Sequence, residues 1–120
     1  RGCFPWDERS CNHDLRGWNQ RLIALRRQIP ALRRGTVHPL FAHAHLNLYA
    51  HGRGEGRGAV VLAMNAGDVP ATFDVPLTGM QIEPGTLFTY LLRGGQTLVR
   101  GGHVEALSLP ARTGTLLAAR

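Results

Sequence analysis

Apolar residues follow two different periods along the chain. Leu15, Trp18, Leu22, Leu25, Ile29 and Leu32 recur at steps of three and four, which brings them onto one stripe of an α-helix. Asn12 stands just ahead of that stripe as a good N-cap. Asp14 lies near the positive end of the helix dipole, and Arg26 and Arg27 near the negative end. Pro30 lacks a backbone donor and clashes with the turn before it, so the long helix is predicted to end near Gln28 or Ile29. One more turn can follow over residues 31–34, with Pro30 as its first residue and Gly35 as its stop.

After Gly35 the period shortens to that of strands. Leu46, Leu48 and Ala50 alternate with His45, Asn47, Tyr49 and His51, which predicts a half-buried strand with one polar face. RGEGRG, residues 53–58, reads as a flexible hairpin loop. GAVVLAMN, residues 58–65, is nearly all apolar and predicts a central strand covered on both faces. Further strands are expected at residues 71–75, 86–92, 96–100, 103–109 and 113–118, separated by Gly94-Gly95, Gly101-Gly102 and Pro110. Strands this short and closely spaced predict a mainly β fold: an antiparallel Greek-key β-sandwich preceded by one amphipathic α-helix. The expected division is residues 1–35 and residues 36–120. The helix stripe needs a partner, since an amphipathic helix gains most of its stability by packing its apolar face.

Composition bounds the answer. The 120 residues suffice for one domain with an appendage and leave no room for two full-sized cores. The 14 basic residues are all Arg, against 8 carboxylates and 6 His, giving a formal charge of +6. They are scattered from Arg1 to Arg120 with no tract of like charge, which fits GC-rich codon usage better than a nucleic-acid surface. No apolar run approaches the ~20 residues of a membrane span. The chain opens on Arg1 and an aromatic cluster, so its start is read as a cut through a longer polypeptide. Cys3 and Cys11 could close one small loop or stay reduced, and the redox compartment is left open.

Candidate chemistry is sparse. Retaining glycoside hydrolysis needs two carboxyl groups about 5–5.5 Å apart. Adjacent Asp7 and Glu8 would point to opposite sides, Glu55 lies in a Gly-rich turn, and Asp68, Asp74, Glu83 and Glu105 fall at strand ends or exposed positions; solvated surface carboxylates are the better account. His43 and His45 would share a strand face with His38 and His51 close by, but no Cys or carboxylate completes a metal set, so neither metal nor cofactor is expected. Cys3 and Cys11 fit small buried hydrophobes better than thiol nucleophiles with His13 as their base. Glycines 52–58 lack the following helix and the Lys-Ser/Thr of a phosphate loop. Tyr49, Phe73, Phe88 and Tyr90 sit in strand patterns and read as core rather than as a sugar-stacking platform.

The N-terminal words carry more. Arg1-Gly2-Cys3-Phe4-Pro5-Trp6-Asp7-Glu8, then residues 22–27 (LIALRR) and 30–35 (PALRRG), resemble the segment closing the catalytic barrel in the α-amylase family of glycoside hydrolases, with the flavour of its neopullulanase, cyclomaltodextrinase and maltogenic amylase group. Residues 60–65 (VVLAMN), 91–95 (LLRGG) and 107–114 (LSLPARTG) are similar to that family's C-terminal β domain. The resemblance implies that residues 1–35 are the last loop and helix of a (β/α)₈ barrel and residues 36–120 the sandwich packed on it. It implies a parent hydrolysing α-1,4-glucans such as maltodextrin, cyclodextrin or pullulan by the retaining route, with a cytoplasmic location favoured. The catalytic carboxylates of that family lie on earlier strands, so no residue here is assigned a catalytic role and the chain alone is expected to be inactive. Asn12-His13-Asp14 copies the letters of a family motif but follows Phe4-Pro5-Trp6 instead of preceding it, and reads as a helix start. Arg1, Phe4 and Trp6 match a loop that borders the substrate cleft in the intact enzymes.

The expected role is therefore to cover and stabilise a missing barrel, which is the expected partner. α-Glucan would be met only through the parent, with no nucleic-acid or membrane partner, and the chain alone is expected to self-associate through its helix or to fold that helix onto its own sandwich. The rivals are a stand-alone carbohydrate-binding module, which would need coplanar exposed aromatics, and an Arg-rich nucleic-acid adaptor, whose binding would fall steeply with salt.

Overall fold

The computed structural model describes residues 6–120. A 3-10 turn at Glu8–Ser10 leads into α1 (His13–Gln28), and a second short helix, α2 (Ala31–Arg34), follows after Pro30. The Asn12 side chain accepts a hydrogen bond from the Leu15 N–H at 2.9 Å, satisfying one of the donors a helix start leaves open. Asn12-His13-Asp14 is thus the start of a helix, with Asp14 in its first turn. The helix stops at Ile29 and resumes after Pro30, where the proline chemistry predicts the break.

Eight strands follow: β1 (Val37–His43), β2 (Leu48–Arg53), β3 (Val60–Asn65), β4 (Ala71–Pro76), β5 (Leu87–Tyr90), β6 (Gln96–Arg100), β7 (His103–Leu109) and β8 (Thr113–Ala119). They hydrogen-bond in the order β1-β2-β3-β8-β5-β6-β7-β4, with every neighbouring pair antiparallel. The crossings from β3 to β4 and from β7 back to β8 are Greek-key connections. The sheet folds over at β6, so β7 and β4 face β3 and β8, and the two end strands nearly meet: Phe41 of β1 stacks on Phe73 of β4 with ring centroids 5.2 Å apart.

Side chains inside this fold form the core. Ala50, Val61, Ala63, Phe88 and Leu117 come from one layer, and Val75, Val99, Val104, Leu107 and Leu109 from the other. Met80, on the connection between β4 and β5, fills the space over Gly52, where a Cβ would collide with the Met80 sulfur. β3 has the central position that its apolar run predicts, between β2 and β8, with Val60 and Val61 both buried although they point to opposite faces.

Two details differ from the sequence reading. His45 and Leu46 are not in a strand: Ala44–Leu46 is a 3-10 turn, Asn47 takes a left-handed φ of 52°, and β2 starts at Leu48. The alternation around Leu46 is real, but His43 caps the turn by accepting from the Leu46 N–H, and local side-chain capping outweighs strand pairing there. β1 also lies in a stretch whose Pro39 obscures strand character. Proline is tolerated because β1 is an end strand, and the register shifts between Pro39 and Phe41.

Asn65 is buried and holds the top of the sandwich together. Its Nδ2 donates to the carbonyls of Val69 (2.9 Å), Leu109 (3.2 Å) and Pro110 (3.0 Å), and its Oδ1 accepts from the Gly67 N–H at 2.9 Å. Asn65→Ala should lower unfolding free energy by about 2–4 kcal/mol, because several buried partners lose their bonds together. Urea denaturation measures it, and a loss under about 1 kcal/mol would mean that water replaces the amide.

Candidate domain interface

The outer face of the sheet explains where the helices sit. Paired residues share a face, so Arg53, Val60 and Ala118 form one outward row and His51, Leu62 and Leu116 the next. Val60 and Leu116 are buried although they point away from the core, which requires cover on that side. α1 and α2 are tied to the sheet at two places by arginines. Arg21 of α1 donates from Nη2 to the carbonyls of Leu91 (3.1 Å) and Leu92 (2.8 Å), just past β5. At the other end, Arg53 of β2 donates to the carbonyls of Ala31 (3.2 Å) and Gly35 (3.0 Å), the first of which also accepts the Gly35 N–H that closes α2.

The joint between helix and sheet is tight. Gly54 N–H donates to the Thr36 carbonyl at 2.9 Å, and a Cβ on Gly35 would meet the Gly54 nitrogen at 2.6 Å and the Ala31 oxygen at 2.7 Å. Gly35 is required for this close approach, whereas its φ of -65° is one that any residue can adopt, so the end of α2 does not itself demand glycine. Arg26 reinforces the corner by donating to the Leu32 carbonyl at 2.6 Å.

The cover is one-sided. No residue of α1 is buried. Leu25 and Ile29 are half-covered, Trp18 and Leu22 remain partly open, and Leu15 and Ile23 are 57% and 52% exposed. Cys11, Leu15, Asn19 and Ile23 border a mainly apolar groove of about 430 Å³ along the flank of the helix. On the outer face of the sheet Tyr49 and Met64, directly opposed in β2 and β3, are also exposed. The apolar half-face of α1 and this sheet surface are the features on which a partner could be built.

Of the three residues matched to a cleft-lining loop, Trp6 is 87% exposed, while Arg1 and Phe4 lie outside the described residues, as does Cys3. Several carboxylates have surface partners. Arg16 sits 2.9 Å from Glu8 and holds that carboxyl below its ordinary pKa, Arg112 pairs with Asp68, and Glu55 meets His38 at 3.6 Å and the Gln81 amide at 2.9 Å. Asp74 accepts from the Ala106 N–H at 2.7 Å, which supports the left-handed Ala106 (φ 49°) in β7. Among the described residues no three His, Cys, Asp or Glu side chains gather as metal ligands, and no helix is long and apolar enough to cross a membrane. His43 and His45 do lie close, ring centroids 6.3 Å apart, but edge to face across a turn rather than side by side on a strand.

His51 is the perturbed histidine. It lies on the outer face beside the Tyr49 ring, its Nδ1 is buried without a hydrogen-bond partner, and burial followed by the charge of Arg53 lowers its pKa. The folded state then binds fewer protons than the unfolded state just below the ordinary imidazole pKa, so stability is complete above that window and falls as pH drops through it.

Similarity to known proteins accords with this architecture. Residues 39–116 match the family described as neopullulanase-like, C-terminal domain. A cyclomaltodextrinase of Geobacillus thermopakistaniensis is 34% identical over 77 residues, which are 64% of this chain and 13% of that protein. Among solved structures, Ttha1563 of Thermus thermophilus superposes over 100% of this chain and 24% of its own, with a TM-score of 0.80 and 29% identity. The debranching enzyme of Nostoc punctiforme does so over 97% of this chain and 24% of its own, with a TM-score of 0.72 and 29% identity. The fold is that of the β domain found at the C-terminal end of α-amylase-family glycosidases, and the chain belongs to the neopullulanase-like C-terminal domain family. It spans about an eighth to a quarter of the length of these relatives.

Two measurements check the interface. Arg53→Met should speed amide exchange over residues 31–36 and cost about 1–3 kcal/mol, since two charge-assisted bonds to the end of α2 disappear; unchanged exchange there would show that Gly35 packing alone holds the joint. For His51, the urea midpoint should fall between pH 7.5 and pH 5.5, and less so in His51→Gln, because Glu8 titrates at lower pH. Equal slopes in both proteins would reassign the pH dependence to other histidines.

Proposed function

We propose that the chain is the closing part of a longer glycosidase acting on α-1,4-glucans such as maltodextrin, cyclodextrin or pullulan, and that its own role is mechanical. In this reading residues 1–35 are the last loop and helix of a (β/α)₈ barrel. Residues 36–120 are the β domain that holds this helix from behind. The carrying observation is the one-sided cover of α1: Arg21 clamps it to the sheet, Arg53 holds the end of α2 that follows it, and Leu15 and Ile23 on its flank stay open. A helix clamped on one side and apolar on another fits between two layers, and a barrel wall is the second layer that the family supplies. Trp6 projects into solvent, consistent with a loop bordering a substrate cleft whose other walls belong to the barrel. Hydrolysis would be done by carboxyl groups of that barrel, with the β domain keeping the last helix in register.

Ile23→Ala provides the test. In the full-length polypeptide a covered Ile23 should cost about 2–4 kcal/mol on truncation, whereas in the 120-residue chain, where it is half-exposed, the cost should stay under about 1 kcal/mol. Small and equal losses in both would remove the barrel from the other side of the helix. The same face gives the chain alone a tendency to pair with a second copy. Sedimentation velocity should show concentration-dependent association that Ile23→Asp abolishes, and a monomer at all concentrations would rule the pairing out.

A further inference from the structure

The two ends of the sheet leave a seam. β1 and β4 are the terminal strands in the hydrogen-bonding order and do not pair with each other. The Phe41–Phe73 stack bridges them, and beside this stack, past the end of β1, lies a groove of about 480 Å³. Its floor is Phe41 and Phe73, its apolar rim is Leu46 and Val69, 49% and 63% exposed, and its polar lining includes His43, His45, Asn47, Asp68 and Thr72. Neither helix contributes to it.

We propose that this groove binds a short neutral oligosaccharide, an α-linked glucan segment. Three observations select that chemistry. First, no Arg lines the groove to hold an anionic ligand, and its one carboxylate, Asp68, has its Oδ1 bonded by both Nε and Nη2 of Arg112, which leaves it compensated against a cationic one. Second, the walls combine apolar faces with amide, imidazole, hydroxyl and carboxylate groups, which suits a ring that shows C–H on its faces and hydroxyls on its rim. Third, the seam is shaped against an added peptide strand: both bordering strands carry register shifts, between Pro39 and Phe41 and between Phe73 and Val75, and β1 contains a proline. The wall bearing Asp68 and Val69 is also pre-formed, since Asn65 anchors it through Gly67 N–H and the Val69 carbonyl. A site that needs no reordering spends little of its contact energy on immobilising loops.

The choice of an α-linked glucan rests on the reading under Proposed function; the groove itself selects only a neutral polyhydroxy ligand. Amide chemical shifts of the ¹⁵N-labelled 120-residue chain, titrated with maltoheptaose and separately with cellohexaose, test it. The expected result is saturable shifts confined to residues 41–48 and 67–73 with maltoheptaose and a clearly weaker response to cellohexaose. Val69→Asp should weaken binding about tenfold and Asp68→Ala about threefold, both with an unchanged far-UV spectrum. No saturable shift, shifts centred on α1 or elsewhere, equal response to the β-linked sugar, or variants that bind like the parent would each overturn the assignment. Such failure leaves the buttress reading intact, because that stands on the Ile23→Ala stability difference.

Discussion

A sheet that buries side chains on both of its faces must be covered on both. In β3 and β8 this demand is acute: Val61 and Leu117 face the core while Val60 and Leu116, one residue earlier in each strand, are buried on the opposite side. The inner face is closed by folding the sheet over itself. The outer face has no second sheet, and α1 and α2 are fastened to the sheet by arginine hydrogen bonds. The helical segment is tied to the sandwich at the carbonyls of Leu91 and Leu92 and across residue 35.

Arginine makes this cover specific. Apolar contact between a helix and a sheet leaves the helix free to slide or rotate by small steps at little cost. Guanidinium groups aimed at main-chain carbonyls do not, because their donors are fixed in a planar fork and the carbonyls lie at set heights along the strands. Arg21 reads the carbonyls beyond β5 and Arg53 those at the end of α2, so one clamp lies near the middle of α1 and the other at the joint. Gly35 then removes the last slack by letting the two backbones touch.

The helix, its cap, its proline break and the buried central strand were all legible in the sequence because each depends on neighbours within a few residues. Asn12 caps Leu15, Pro30 breaks the helix, and GAVVLAMN carries its own apolarity. What escaped depends on distant partners. β1 is a strand because β2 pairs with it across a turn, and Pro39 hides it. The turn at Ala44–Leu46 forms because His43 caps it, against an alternation that favours extension. Trp6 could be placed in a family loop by resemblance, but its surroundings depend on residues outside those described. The clamps of Arg21 and Arg53 span 70 and 18 residues or more, and nothing local marks either arginine among the others.

The sheet's two kinds of incompleteness are resolved in different ways, and the contrast bears on function. On the outer face the gap is apolar and lies along a helix already clamped from behind, a geometry that another packed layer fills. At the seam between β1 and β4 the gap is floored by Phe41 and Phe73 and lined by polar groups among its apolar ones, with its one carboxylate paired to Arg112. Protein layers bury continuous apolar stripes; small ligands settle where a few polar atoms surround an apolar floor. The two grooves have no lining residue in common, so the proposed barrel contact and the proposed ligand site can be tested independently.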